Sequence, residues 1–347
     1  MTATTTAPPR VRRAAVVGST GWGTTLALLL ARNKVPTTLL ARDAVEQARL
    51  RAAGEHERRL PGARFPEDLA VEAAPAVIAE ADLLCFAVPS RTMAENLERI
   101  APHVAPGTVL LSATKGIERE SGRRMSEIIT EALPGHPIAV LSGPNLSREV
   151  AASLPSTTVI ACASGDLAGA LRIAFHSNSF RVYSSTDLVG VELGGALKNV
   201  IAIAGGIVDA LGYGDNAKAA ILTRGLAEMT RLGVAAGAEA LTFQGLAGVG
   251  DLIASAYSPL ARNRRLGELL GRGVALEAAL AELDGTAEGA VTTPAALALA
   301  GRLGVEMPIA EGLAAILAGR LSPEEAVRAL MERLPKPELA VAPGAAL

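Results

Sequence analysis

Eight short apolar runs, separated by stretches of helical pattern, constrain the fold of the first half of the chain more than any other feature. In order they read AAVVG, TTLLA, LAVEA, LLCFAV, TVLLSAT, IAVLSG, STTVIACA and FRVYSS. Most neighbouring runs lie roughly 10 to 20 residues apart, which is enough for a crossover helix. This alternation is typical of βαβ units and predicts an α/β domain with a mainly parallel sheet over residues 11–187.

The β-rich runs stop at about Asp187, and the composition changes there. Residues 188–334 are rich in Ala, Leu and Gly at helical spacing, which predicts an all-α second domain. A chain of 347 residues is also longer than one hydrophobic core usually serves. We expect the ends, residues 1–10 and 335–347, to be disordered tails because they lack periodicity.

The overall charge favours no polyanionic partner, since 33 Lys and Arg nearly balance 35 Asp and Glu. Cys85 and Cys162 both lie within apolar runs, so we interpret them as small buried hydrophobic residues of a reduced, cytoplasmic protein. No segment is expected to span a bilayer, because the long uncharged stretches are interrupted by glycine or too short. We also expect no metal site.

A glycine-rich turn follows the first predicted strand, in the segment AAVVGSTGWGTTLALLL. Gly18, Gly21 and Gly23 would let the backbone approach a pyrophosphate, and the helix that follows would offer its free N–H groups. This context indicates a Rossmann-type dinucleotide-binding domain, although Thr20 occupies the place of the usual second glycine. A plain strand-to-helix turn would also favour glycine.

The second strand ends in LLARD, where dinucleotide-binding domains read the adenosine ribose. Asp43 would accept hydrogen bonds from the ribose hydroxyls of NADH, whereas Arg42 would meet the 2′-phosphate of NADPH. Arg59, farther along, is a second candidate for that phosphate. We therefore predict either cofactor, with NADPH favoured; the alternative is that both arginines are simply solvated.

Lys198 is the leading candidate for acid–base chemistry. It is the only formal charge between Glu192 and Asp209, so we expect it to be partly desolvated, with a lowered pKa suited to proton transfer. Gly194, one helical turn earlier, would leave room for a ligand, and Asn199 could add a hydrogen bond. Alternatively, Lys198 forms a structural ion pair or extends to solvent.

The four histidines are weaker candidates, because they lie in polar or proline-flanked segments or at the end of a helical pattern. We predict that they lie at the surface: His56, His103, His136 and His176.

Polar residues follow two other predicted strands, at the sheet edge where open α/β domains bind ligands. Lys115 follows TVLLSAT, whereas Gly143, Asn145 and Ser147 follow IAVLSG. These residues could instead be helix caps. In the second half, Asp251 stands alone in the apolar segment GLAGVGDLIAS, which predicts a buried partner, with Lys198 the first choice.

The segment SPLARNRRLGELL places Arg262 and Asn263 at the start of a predicted helix. A helix N-terminus and a guanidinium together suit a phosphate dianion. Cations are otherwise unfavourable at the N-terminal end of a helix, which argues against the alternative that these arginines are only solvated and bind no ligand.

Taken together, these segments resemble the bacterial NAD(P)-dependent glycerol-3-phosphate dehydrogenase family. The resemblance rests on motifs that run in family order: VVGSTGWGTTLA, AVPS, ATKG, SGPN, VELGGALKNVIAI, TRGLAEM, GVGDL and RNRR. It implies reversible reduction of dihydroxyacetone phosphate to sn-glycerol 3-phosphate, a precursor of phospholipids. It also implies that Lys198 exchanges the proton, with Lys115 and Asp251 around the reacting carbon.

The resemblance further implies two sets of binding residues and a possible homodimer. Substrate would be held by Gly143, Asn145, Ala261, Arg262 and Asn263, together with the three catalytic residues. Cofactor would be held by Gly21, Trp22, Arg42, Arg59, Lys115, Ser147, Arg262 and Glu288. At Ala261, where the family often has serine, only the backbone N–H could serve a phosphate.

Two other functions remain open on the sequence alone. The chain could be a reductase of a 3-hydroxy or keto acid with a similar pair of domains, which would need a carboxylate site in place of the RNRR segment. It could also be a nucleotide-binding regulator without catalysis.

Overall fold

The computed structural model describes residues 11–283, 285–335 and 337–338. Its eight strands coincide with the eight predicted runs: β1 Ala14–Val17, β2 Thr37–Leu40, β3 Leu69–Glu72, β4 Leu83–Phe86, β5 Val109–Ser112, β6 Ile138–Ser142, β7 Ser156–Ala161 and β8 Phe180–Ser185. They form one sheet in the order β3-β2-β1-β4-β5-β6-β7-β8, and every pair is parallel except β6 with β7. The predicted α/β fold with a mainly parallel sheet is confirmed.

Six helices accompany the sheet: α1 Gly21–Arg32, α2 Ala44–Ala53, α3 Met93–Ile100, α4 Met125–Ala132, α5 Ser147–Ala151 and α6 Gly165–Phe175. Two apolar cores cover its two faces, one including Leu26 and Phe175 and the other including Phe86 and Ile129. Inner strands such as β1 and β4 are buried on both faces and read as continuous apolar runs, whereas the edge strands β3 and β8 alternate with exposed residues. Cys85 and Cys162 are buried, free thiols, as predicted.

The second half is helical, as predicted. It contains α7 Leu188–Ala210, α8 Gly214–Ala235, α9 Asp251–Tyr257, α10 Arg262–Gly271, α11 Leu276–Glu282, α12 Glu288–Leu303, α13 Pro308–Leu317 and α14 Pro323–Met331. A short π-helix, Leu246–Gly250, precedes α9. The predicted tails lie outside the described residues, apart from positions 335, 337 and 338.

Helix α7 is the centre of the helical half, and its residues from Gly190 to Val208 are buried. Two glycines bring it against α10: a Cβ on Gly206 would lie 2.1 Å from the Arg264 carbonyl oxygen, and one on Gly267 would lie 2.0 Å from that of Ile203. Only glycine permits such a backbone approach. The close packing sets Lys198, on α7, near the first turn of α10.

By length and composition α7 could cross a membrane, contrary to our expectation that no segment qualifies. Its apolar window is, however, entirely buried inside the protein. The hydropathy of α7 is therefore accounted for by its place at the centre of a helical core, which removes the same apolar surface from water that a bilayer would.

Candidate active site

A cavity of about 600 Å³ lies between the carboxyl ends of the strands and the helical half. That volume suits a small-molecule ligand or cofactor. It brings together most of the predicted site residues, which come from both halves of the chain: Gly21, Trp22, Arg59, Lys115, Asn145, Ser147, Lys198, Ala261, Arg262, Asn263 and Glu288. Gly18, Gly23, Arg42, Gly143 and Asp251 are not in the lining.

The glycine turn has the tight form that a dinucleotide site requires. Gly18 has a φ of +106°, and a Cβ on Gly23 would lie 1.9 Å from the Gly18 carbonyl oxygen. Both glycines therefore shape the turn from behind the cavity wall. Thr20, in the place of the usual second glycine, caps α1: its hydroxyl accepts from the Gly23 N–H at 3.0 Å and donates to the Ala87 carbonyl at 2.8 Å.

The N-terminus of α1 opens into the cavity at Gly21 and Trp22. A Cβ on Gly21 would meet Ser147 at 3.7 Å and Arg59 at 3.8 Å without a clash, and Gly21 itself lines the cavity, where its backbone can meet a ligand. The Trp22 indole N–H is buried without a partner among the described residues. Accessible backbone at a positive helix end fits the pyrophosphate of a dinucleotide.

One carboxylate accepts hydrogen bonds from two lysines that line the cavity. Asp251 accepts from Lys198 Nζ at 3.0 Å through Oδ1 and from Lys115 Nζ at 2.6 Å through Oδ2. Lys115 also donates to the Gly143 carbonyl oxygen at 2.9 Å. The predicted pairing of Asp251 with Lys198 is confirmed, and the sequence did not reveal that Lys115 shares it.

Lys198 is 7% exposed, so the predicted desolvation is confirmed. Burial is the main cause that lowers its pKa, to about 8; the Asp251 carboxylate opposes the shift and the Lys115 ammonium adds to it. A buried ammonium held by a carboxylate, with a pKa close to neutrality, is suited to donating a proton.

Ser255 is a member of this cluster that we did not predict. It lies four residues after Asp251 on α9, is 4% exposed, and its hydroxyl accepts a hydrogen bond from Lys198 Nζ. The i, i+4 spacing places the two side chains on one helix face. The four-residue spacing from Asp251 could have indicated Ser255, but a single serine in a predicted helix does not by itself indicate a functional role.

The proposed role of Gly194 was wrong. A Cβ there would lie 2.7 Å from the Ala247 carbonyl oxygen, so the missing side chain makes room for the π-helix backbone and not for a ligand. A Cβ on the next residue, Gly195, would lie 2.3 Å from Ser142 Oγ and 3.6 Å from the Lys115 side chain. Helical spacing thus predicted that something packs closely against Gly194, but not that the π-helix backbone would be the group that does so.

The first turn of α10 forms another part of the wall. Asn263 joins three helices: its Nδ2 donates to Asn199 Oδ1 at 2.8 Å, and its Oδ1 accepts from the Gly289 N–H at 2.9 Å. The expectation for Ala261 needs correction, because its N–H already donates to the Ser258 carbonyl at 3.1 Å. At this helix end, the guanidinium of Arg262 and the N–H groups of the first turn are of the types that can bind an anion.

The predicted surface position of the histidines was wrong for His56. It is 2% exposed, and its Nε2 lies 3.1 Å from the Ser19 carbonyl oxygen in the glycine turn. His103 and His136 are partly buried and His176 is exposed. A polar sequence context thus concealed a contact between a distant loop and the turn.

Two family models match the chain with this arrangement of strands, turn and helices. The N-terminal domain of NAD-dependent glycerol-3-phosphate dehydrogenase matches residues 13–168, and its C-terminal domain matches residues 187–328. The chain belongs to the NAD-dependent glycerol-3-phosphate dehydrogenase family. The resemblance inferred from the sequence is confirmed.

Curated relatives in this family match nearly end to end. Glycerol-3-phosphate dehydrogenase [NAD(P)+] of Streptomyces coelicolor is 47% identical over 329 residues, covering 94% of this chain and 98% of the relative. Glycerol-3-phosphate dehydrogenase [NAD(P)+] 2 of Sphingopyxis alaskensis is 45% identical over 318 residues, covering 91% and 95%. Both names include NAD(P)+, in agreement with a dinucleotide site at the glycine turn.

Solved structures agree with the family. Glycerol-3-phosphate dehydrogenase from Coxiella burnetii superposes with a TM-score of 0.90 at 37% identity, covering 94% of this chain and all of that one. A ketopantoate reductase from Ralstonia eutropha has a TM-score of 0.58 at 16% identity, covering 91% and 99%. The second likeness shows a shared fold alone.

A hydrogen bond connects the two halves of the chain at the wall of the cavity. Ser90, after β4, donates from Oγ to Glu288 Oε2 at 2.5 Å. Glu288 is the first residue of α12, and burial raises the pKa of its carboxyl group. The contact fixes the predicted cofactor residue Glu288 against the sheet, and Ser90 is a further residue that our site prediction did not include.

Proposed function

We propose that this chain catalyses the reversible NAD(P)H-dependent reduction of dihydroxyacetone phosphate to sn-glycerol 3-phosphate. The observation that carries the proposal is one carboxylate, Asp251, that binds both Lys198 and Lys115 beside a cavity whose wall also includes Arg262. A proton donor and an anion site thus meet in the same space. That combination is what a phosphorylated ketone requires.

The reaction transfers two electrons and two hydrogen nuclei. A nicotinamide dinucleotide held at the turn of Gly18, Gly21 and Gly23 would supply the hydride and accept it again in the reverse direction. Lys198 donates a proton to the carbonyl oxygen as negative charge develops there, and Lys115 stabilises that charge. Asp251 keeps both ammonium groups in place, and Ser255 fixes the direction of Lys198.

We assign the substrate phosphate to Arg262 and the first turn of α10, where a guanidinium and helical N–H groups favour a dianion. Asn263 would hold this turn in place through its side chain. Asn145 would likewise hold the turn after β6 in place, because its Nδ2 donates to the Thr157 carbonyl oxygen at 3.1 Å. Gly143 would orient Lys115 through its carbonyl oxygen.

The cofactor residues complete the proposal. The turn of Gly18, Gly21 and Gly23 would hold the pyrophosphate, with Trp22 and Ser147 on the wall beside it. Glu288 would lie at the nicotinamide end, near the two lysines, and Arg59 nearer the adenosine.

We further propose that the two domains comprise residues 11–187 and 188–334 and that the protein is cytoplasmic. We also propose that it forms a homodimer, which sedimentation of the pure protein tests.

The pKa of Lys198 predicts a pH profile. Because only the ammonium form donates a proton, kcat/KM for reduction, which reports groups of the free enzyme, should be high below the pKa of about 8 and fall as pH rises through it. The oxidation of glycerol 3-phosphate should show the opposite trend. Initial rates in both directions from pH 6 to pH 10 would measure this, and parallel profiles would contradict the assignment.

Arg42→Ala should weaken NADPH binding about tenfold more than NADH binding, because only NADPH carries the 2′-phosphate. Arg42 lies outside the cavity lining: its Nε pairs with Asp43 Oδ2 at 3.0 Å and its side chain is 80% exposed. It must therefore turn from Asp43 to reach the phosphate. Dissociation constants for both cofactors test this, and an equal loss would show that Arg42 does not read the phosphate.

The proposed activity is tested by NADPH and NADH oxidation with dihydroxyacetone phosphate beside a panel of 2-keto and 3-keto acids. We expect turnover on the phosphate ester, since Arg262 and the α10 turn suit a dianion. Turnover restricted to a keto acid would replace the proposal with the related reductase function. Cofactor binding with no turnover on any substrate would favour the regulatory alternative.

A further inference from the structure

A second carboxylate faces the glycine turn at its adenosine end. Glu46, in the first turn of α2, accepts from Ser19 Oγ at 2.5 Å and from the Arg42 backbone N–H at 3.1 Å, both through Oε2. Its side chain is only 15% exposed. Glu46 therefore connects the turn that would hold the pyrophosphate with the end of β2, where the ribose is read.

Asp43, the residue that motif spacing assigns to the ribose, has its hydrogen-bond partners next to it in the chain and none in the glycine turn. Its Oδ1 accepts from the Glu46 N–H at 2.8 Å as the N-cap of α2, and its Oδ2 binds Arg42 Nε at 3.0 Å. Both carboxylate oxygens of Asp43 are therefore bound to residues at the start of α2 or just before it. Of these two carboxylates, Glu46 is the one in contact with the glycine turn.

The charges around Glu46 would matter to a 2′-phosphate. Its Oε1 lies 3.8 Å from Arg49 Nη2, its Oε2 accepts from the Arg42 backbone N–H, and Arg59 lines the cavity. Guanidinium groups attract a phosphate, whereas a largely buried carboxylate repels it. A ribose hydroxyl, in contrast, can donate a hydrogen bond to that carboxylate.

We propose that Glu46 sets the selectivity between NADH and NADPH. Its carboxylate accepts a hydrogen bond from the ribose hydroxyl of NADH, and its negative charge repels the 2′-phosphate of NADPH. Glu46 thereby limits the preference for NADPH that Arg42 and Arg59 favour. The inference rests on the proposed use of a nicotinamide dinucleotide, but it does not depend on which ketone is reduced.

Cofactor binding to the full chain tests this inference without any substrate. Trp22, the single tryptophan of the chain, lines the cavity, so its fluorescence should be quenched when NADH or NADPH binds. We expect Glu46→Gln to shift the ratio of the two dissociation constants about tenfold toward NADPH, equal to about 1.4 kcal/mol. Glu46→Ala, a second neutral variant, should shift the ratio in the same direction.

Two controls separate charge from structure. Glu72→Gln removes a carboxylate at the end of β3 that binds Arg51 and Gln47 and makes no contact with the turn, so the ratio should stay within about twofold. Ser19→Ala removes the hydrogen bond to Glu46 but keeps the charge, so it should also leave the ratio nearly unchanged.

An unchanged ratio in both Glu46 variants would overturn the inference, as would an equal shift in Ser19→Ala or Glu72→Gln. The result is independent of the proposed reaction. A shifted ratio in a protein that does not reduce dihydroxyacetone phosphate would retain the role of Glu46 and reject the substrate. Normal turnover of dihydroxyacetone phosphate with an unshifted ratio of dissociation constants would retain the substrate and reject the role of Glu46.

Discussion

Lys198→Met is expected to lower kcat for dihydroxyacetone phosphate reduction roughly a thousandfold while the dissociation constant of NADPH changes little. Methionine fills a similar volume but can neither donate a proton nor stabilise the developing alkoxide. The turn that would hold the cofactor is not in contact with Lys198 and stays intact. Steady-state rates and quenching of Trp22 fluorescence measure the two quantities separately.

Lys218→Met is the matched control. Lys218 is also buried in the helical half, where it binds Asp209 Oδ2 at 2.7 Å, away from the cavity lining. Its loss should reduce the free energy of unfolding yet leave kcat of the folded protein within about threefold of the original. Comparable losses of kcat in both variants would mean that Lys198 acts through stability, and near-normal turnover in Lys198→Met would remove it from the chemistry.

Arg262→Ala is expected to lower kcat/KM for dihydroxyacetone phosphate roughly a hundredfold, since it removes from the cavity wall the guanidinium that would bind the phosphate dianion. The same change should leave the slow reduction of unphosphorylated dihydroxyacetone within about threefold, because that ketone offers no anion to bind. The ratio of the two specificity constants isolates the contribution of the phosphate from any general damage.

Arg272→Ala supplies the comparison for this prediction. Arg272 follows the other end of α10 and is exposed, so it carries the same charge at a distance from the cavity. Its substitution should change neither specificity constant appreciably. Equal losses for both ketones in Arg262→Ala would place Arg262 outside the phosphate site and leave the helix end alone as the anion-binding element.

The sheet and the change to helices were readable from the sequence because both depend on local patterns. Strands covered on both faces, such as Leu83–Phe86, appear as continuous apolar runs whatever they pack against. Lys198 was identifiable for a similar reason: a lone charge in a long apolar helix must be buried and partnered. The antiparallel pairing of β6 with β7 had no such local sign, since strand direction depends on the path of the connecting chain.

The errors at the site arise from contacts between distant segments. Gly194 gives way to the Ala247 backbone, and His56 is buried against Ser19. In each case the local residue type was interpreted correctly as small, polar or loop-forming. The partner that decides its role lies in another element or turn, and periodicity carries no information about that partner.

Isotope transfer tests the proposed reaction most directly. The chain is incubated with dihydroxyacetone phosphate and NADPH deuterated at both C4 positions, and the product is analysed by mass spectrometry and NMR. We predict glycerol 3-phosphate with a single deuterium at C2, absent when Lys198→Met replaces the original chain. Glycerol 3-phosphate without deuterium at C2, or deuterium found only in a hydroxy acid when keto acids are also present, would contradict the proposed function.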